Sequence, residues 1–143
     1  MKTMIHSLLA AALVLLMASP AAQAEIAVIA NSANSESSLT AKQVKKIFLG
    51  KKNAFPGGGA AKPADQGEGS ATREAFYQKI AKKNTDAMKS YWTQMIFSGK
   101  ASPPEAVGDD AAVKAWVASN KDGIGYVDKS SVDGSVKVLL ILP

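Results

Sequence analysis

The only arginine of the chain, Arg73, lies in "DQGEGSATREAFYQKI", Asp65 to Ile80, against sixteen lysines elsewhere. It falls directly behind Gly69-Ser70-Ala71-Thr72, where the pattern predicts the start of a helix. The first amides of a helix have no intrahelical partner and carry the positive end of its dipole. Glycine lets a ligand approach the backbone, hydroxyls add donors, and a guanidinium can fork onto two oxygens of one anion. Gly69, Ser70, Ala71, Thr72 and Arg73, with Asp65 fixing a ligand hydroxyl, therefore form a candidate oxyanion cradle. The same residues also describe an ordinary helix start. Ser70 would cap it, Glu74 would answer the dipole, Arg73 would face solvent, and Asp65 would close an Asx-turn. Glu68 and Glu74 flank the cradle and oppose an anion. Both readings stand on the residues alone.

Other chemistry is poorly supplied. The chain has no cysteine, and its single histidine, His6, falls in the leading apolar segment. A chain without Cys and His beyond that segment cannot run Ser-His-Asp or Cys-His mechanisms and lacks the usual zinc ligands. No catalytic residue, metal site or cofactor is expected. "GEGSAT" lacks the third glycine of a dinucleotide fingerprint, and no Gly-x-x-x-x-Gly-Lys loop is present. Asp109–Asp110 could be drawn as paired catalytic carboxylates but reads more simply as a helix cap and a first-turn acid.

Lys2, the run "LLAAALVLLMA", and small residues at Ala22 and Ala24 describe an export signal, with cleavage expected after Ala24. The run is shorter than the roughly twenty residues of a membrane span. Residues 25–143 are then expected to form one α/β domain in the periplasm, with no membrane insertion after signal removal. Losing Lys2 lowers the net charge from +5 to +4. That balance favours anionic partners, but the lysines do not cluster with aromatics, so nucleic acid is not expected.

The elements that would position the cradle follow from periodicity. "EIAVIA" reads as a strand. Thr40 and Gln43 make a capping box for a helix ending at Gly50, with Val44, Ile47 and Phe48 inward. The Gly- and Pro-rich stretch from Lys51 to Ser70 reads as a long connection with one short edge strand near Ala61 to Asp65. Helices are expected from Ala71 to Lys82, after Asn84–Thr85, and after Asp109. Met88, Tyr91, Trp92, Met95 and Ile96 form a core stripe on the second of these. "IGYV" and "VKVLLIL" are strands, the last expected to be buried on both faces because it lacks polar alternation.

In order, "LTAKQVKKIFLGKKNAFPGG", "ADQGEGSATREAF", "YWTQMIFSG" and "KDGIGYVD" resemble one lobe of the periplasmic phosphate-binding proteins that feed ABC transporters. They resemble still more closely the short, single-lobe proteins of the phosphate-transporter substrate-binding-like type. The resemblance spans about Leu39 to Val127. It implies a single lobe of a type II periplasmic-binding-protein fold, with a small mixed sheet flanked by about four helices. It also implies that Asp65, Gly69, Ser70, Ala71 and Thr72 lie where that family wraps phosphate, with Arg73 just behind. Ala71 stands where the family has glycine, and Phe55 where it has tryptophan. The function implied is weak, non-catalytic binding of a phosphate-like oxyanion, linked to transport or sensing, with an ABC permease or another envelope protein as partner. An envelope interaction module that kept the fold and lost the ligand is the alternative.

Overall fold

The computed structural model describes residues 24–143; the expected export signal lies outside them except for Ala24. The elements run β1 (Ile26–Asn31), α1 (Ala41–Phe48), β2 (Lys62–Gln66), α2 (Ala71–Ala81), α3 (Thr85–Phe97), β3 (Glu105–Gly108), α4 (Asp110–Ser119), β4 (Gly123–Asp128), a short 3-10 turn (Lys129–Ser131) and β5 (Val136–Leu142). The strands form one mixed sheet in the order β3-β2-β4-β1-β5. β1 is antiparallel to β4 and β5, whereas β2 is parallel to β3 and β4.

Alternation along β1 divides the core. Ile26, Val28 and Ala30 enter a cluster with Val44, Ile47 and Phe48 of α1, Phe76 and Ile80 of α2, and Met88 and Trp92 of α3. Ala27 and Ile29 face the other way, onto Val113 and Val117 of α4. Helices therefore cover both faces of the sheet. Gly125 permits the tight seat of α4, because a Cβ there would lie 2.6 Å from a Val113 methyl. Phe76 stacks on Tyr126 at 3.9 Å between ring centroids, which ties α2 to β4 beside the candidate site.

The helix starts are built as the sequence predicts. Thr40 and Gln43 exchange both bonds of a capping box; Ser70, Asn84 and Asp109 cap α2, α3 and α4. Three expectations change. β2 is an interior strand, not an edge, because β3 (read as loop) pairs outside it. β5 lies at the sheet margin, so only Val136, Leu139 and Leu142 are buried and the other four residues are half-buried. The α3 stripe is core only in part: Met88 and Trp92 are buried, but Ile96 is 56% exposed as the helix runs past the sheet.

Candidate functional site

The end of β2 delivers Asp65 and Gln66 into the core, with 5% and 2% of their surface exposed. The Asp65 carboxylate accepts from Tyr77 Oη at 2.8 Å, from the Gln66 amide at 2.8 Å, and from Tyr126 Oη. Arg73 Nε lies 3.5 Å from Asp65 Oδ2, and the guanidinium sits over the Tyr77 ring, 5.0 Å from its centroid. Arg73 is 8% exposed, so neither the open cradle nor the solvated helix start describes it. Its placement has a local cause. Arg73 and Tyr77 are four residues apart and share one side of α2, the side turned towards β2 and β4.

The Asp65 carboxylate is fully partnered in this arrangement. A buried arginine needs a partner, and Asp65 supplies one while three further donors satisfy the carboxylate. Burial, then the charge and hydrogen bond of Asp65, hold the Tyr77 phenol well above its ordinary pKa. Burial and Asp65 push Tyr126 up in the same way. Both therefore stay protonated donors at any physiological pH.

A second chain of bonds runs along the other side of the α2 start. Ser70 Oγ accepts from the Arg73 amide at 3.1 Å and donates to Gln66 Oε1 at 2.7 Å. Gln66 Nε2 in turn donates to Asp110 Oδ1 at 2.6 Å and to the Tyr126 carbonyl at 3.1 Å. Asp110 Oδ2 accepts from Ser131 Oγ at 3.0 Å and from the Asp128 amide at 3.2 Å. Above this chain opens a cleft of about 670 Å³, lined by Gln66, Glu68, Ser70 and Thr72 on one side and Asp109, Asp110 and Ser131 on the other. Every charged residue of its lining is acidic.

The expected site residues are thus divided. Asp65 and Arg73 meet each other below the helix start. Arg73 opens instead onto a cleft of about 390 Å³ between α2 and α3, with Met88, Lys89 and Trp92. Ser70 and Thr72 face the α2–α4 cleft. Gly69, at φ +89°, turns the chain into the helix, and Ala71 is exposed in its first turn. The amides of Arg73 and Glu74 bond to Ser70 Oγ and the Ser70 carbonyl. Those of Ala71 and Thr72, and the Thr72 hydroxyl, have no partner among the described residues.

Tyr77, Tyr126, Gln66 and Asp110 are the residues that sequence reasoning missed. The Arg73–Tyr77 spacing was a readable signal for the first. Nothing local announced that Tyr126, sixty-one residues from Asp65, would reach it.

Neither a family model nor a curated protein matches the chain, but solved structures do. It is similar to a protein of Clostridium perfringens, assigned as a phosphate ABC transporter substrate-binding protein and solved with bound phosphate. The identity is 26% and the TM-score 0.64, over 81% of this chain and 45% of that one. An ABC-type phosphate transport receptor from Vibrio cholerae matches at 21% identity and TM-score 0.64, over 82% and 46%. A Planctomyces limnophilus protein described as a possible phosphate-binding protein matches at 15% and 0.59. The chain spans about half the length of these structures. Its fold is that of one lobe of a phosphate ABC transporter substrate-binding protein. Among the described residues no helix is long and apolar enough to cross a membrane.

Proposed function

We propose that the protein is a non-catalytic periplasmic binding protein that holds a phosphate-like oxyanion weakly at the start of α2, in the service of phosphate transport or sensing. The observation that carries this reading is the pair of amides at Ala71 and Thr72, unpartnered among the described residues, with Thr72 and its hydroxyl on the lining of the α2–α4 cleft. Such amides at the positive end of a helix are donors aimed at an anion. The similarity to phosphate-transport receptors supports the same ligand class. Within the site, Ala71 and Thr72 touch the anion, Gly69 and Ser70 shape the turn, and the Asp65–Arg73 pair holds the floor from below.

The acidic lining limits what can enter. An ionised carboxylate only accepts hydrogen bonds, so an oxyanion that carries its own proton can donate to Glu68, Asp109 or Asp110, while a fully deprotonated one is repelled. Phosphate near neutral pH keeps a proton and sulfate does not. An open lobe also leaves the anion hydrated, which weakens the charge contacts.

Calorimetry at low salt tests the reading: phosphate should release measurable heat and sulfate should not. Added phosphate should also raise the melting temperature through native-state binding. Thr72→Val, which removes the hydroxyl and keeps the shape, should weaken the interaction; an unchanged isotherm for that variant would refute this placement. A second reading, an envelope interaction module, is favoured by one observation. Phe97 is 94% exposed beside Ile96 at the end of α3, an apolar pair that water alone does not stabilise. A module of this kind would be indifferent to phosphate.

A further inference from the structure

From Ser37 through Ala64 the chain carries six lysines and no aspartate or glutamate. Lys42, Lys45 and Lys46 lie on the outer side of α1, opposite its buried Val44, Ile47 and Phe48, and Lys51 and Lys52 follow in the next loop. None of these five takes part in an ion pair among the described residues. Helix energetics explain only part of the group. Lys45 and Lys46 stand in the last turn, where a cation complements the dipole, but Lys42 stands in the first turn, where no acid is present. A charge kept at the unfavourable end of a short helix is not there for the stability of that helix.

Beside the lysines lies a slot of about 330 Å³, lined by Gln43, Lys46, Ile47, Lys52, Ala54, Phe55 and Pro56, with no carboxylate among them. Its outer wall is held in shape. The Phe55 amide bonds to the Gly59 carbonyl at 2.8 Å, the Ala61 amide to the Asn53 carbonyl at 2.9 Å, and Glu36 clasps the Gly57 amide at 2.6 Å. Phe55 is itself seated in the main core cluster. The long Gly- and Pro-rich connection is thus a small closed loop that sets an apolar recess between two ammonium groups.

We propose that this face docks an acidic segment of a partner protein, with one apolar side chain entering the slot between Lys46 and Lys52. Charge complementarity specifies the acidic flanks of the partner. The recess specifies a single anchor side chain, of the kind that dominates such interfaces. The size of the slot favours this occupant over a membrane surface, which would use the lysines and leave the recess unfilled. The slot shares no lining residue with the α2–α4 cleft, and the proposal does not depend on the oxyanion reading.

The test is fluorescence anisotropy with a labelled peptide of alternating Asp and Glu carrying one central Leu, and with its counterpart carrying Ser. The Leu peptide should bind about tenfold more tightly than the Ser peptide, a difference of about 1.4 kcal/mol. Both should weaken with salt. Lys46→Gln with Lys52→Gln should weaken both peptides about tenfold, while Lys89→Gln with Lys129→Gln, equal in charge change but outside the slot lining, should leave their binding intact. Thermal melts of both variants confirm that the fold persists. Equal binding of the two peptides, equal losses in the two variants, or binding to phosphatidylglycerol vesicles without peptide binding would each overturn the proposal. Phosphate calorimetry on the Lys46/Lys52 variant reports the other site separately.

Discussion

The floor of the α2 start and the outer side of α1 treat positive charge in opposite ways. Arg73 is buried, paired through Nε with Asp65 and laid over Tyr77, so its charge is countered inside the molecule at the wall of the α2–α3 cleft. The α1 lysines have no ion-pair partner among the described residues and keep their charge at the surface. Burial makes the difference. A guanidinium removed from water must find a carboxylate, whereas a solvated ammonium need not. The residue with the most specific chemistry therefore meets a carboxylate within the fold, and the less distinctive lysines keep their charge in water.

Removing the carboxylate beneath Arg73 should test that contrast most severely. Asp65→Ala leaves a buried guanidinium and two phenols without their acceptor, and should lower unfolding free energy by about 3–5 kcal/mol in urea titration. A loss no larger than that of a surface substitution would erase the distinction between the two regions. Alkaline titration comes next. The Tyr77 and Tyr126 pKa values are raised in the folded state, so their stability contribution is complete below the unfolded tyrosine pKa of about 10. It is lost as pH rises through that value towards the folded pKa values. Tyrosinate absorbance from these two residues should appear only with unfolding, as followed by circular dichroism.

Tyr126→Phe should cost less, about 1–2 kcal/mol, because Tyr77 and the Gln66 amide still serve Asp65. The smallest effect should have the opposite sign. Lys42→Glu places an acid in the first turn of α1 and should raise stability by about 0.3–1 kcal/mol. The same change should weaken acidic-peptide binding. A variant that gains stability while losing a partner would sharpen the view that α1 carries its charge for binding.

Much of the fold was legible because its signals are local. The capping box at Thr40 and Gln43, the Ser70, Asn84 and Asp109 caps, and the period of Val44, Ile47 and Phe48 each depend on residues within one or two turns. The candidate site was legible in composition but not in arrangement. Glycine, hydroxyls and arginine in one short run marked the α2 start, yet the run could not show on which side of the helix Arg73 would emerge. It also could not show that Asp65 would turn inward to meet it.

The sequence by itself determined the helix boundaries, the two apolar periods that place helices on both faces of a sheet, and the absence of cysteine and histidine from the described residues. Tertiary structure alone decided that β2 is interior, that β5 is marginal, and that Tyr126 closes on Asp65. The physical reason is range. Caps and periodicity act between residues a turn apart. Strand order and the pairing of a buried charge depend on which distant segments the collapsed core brings together.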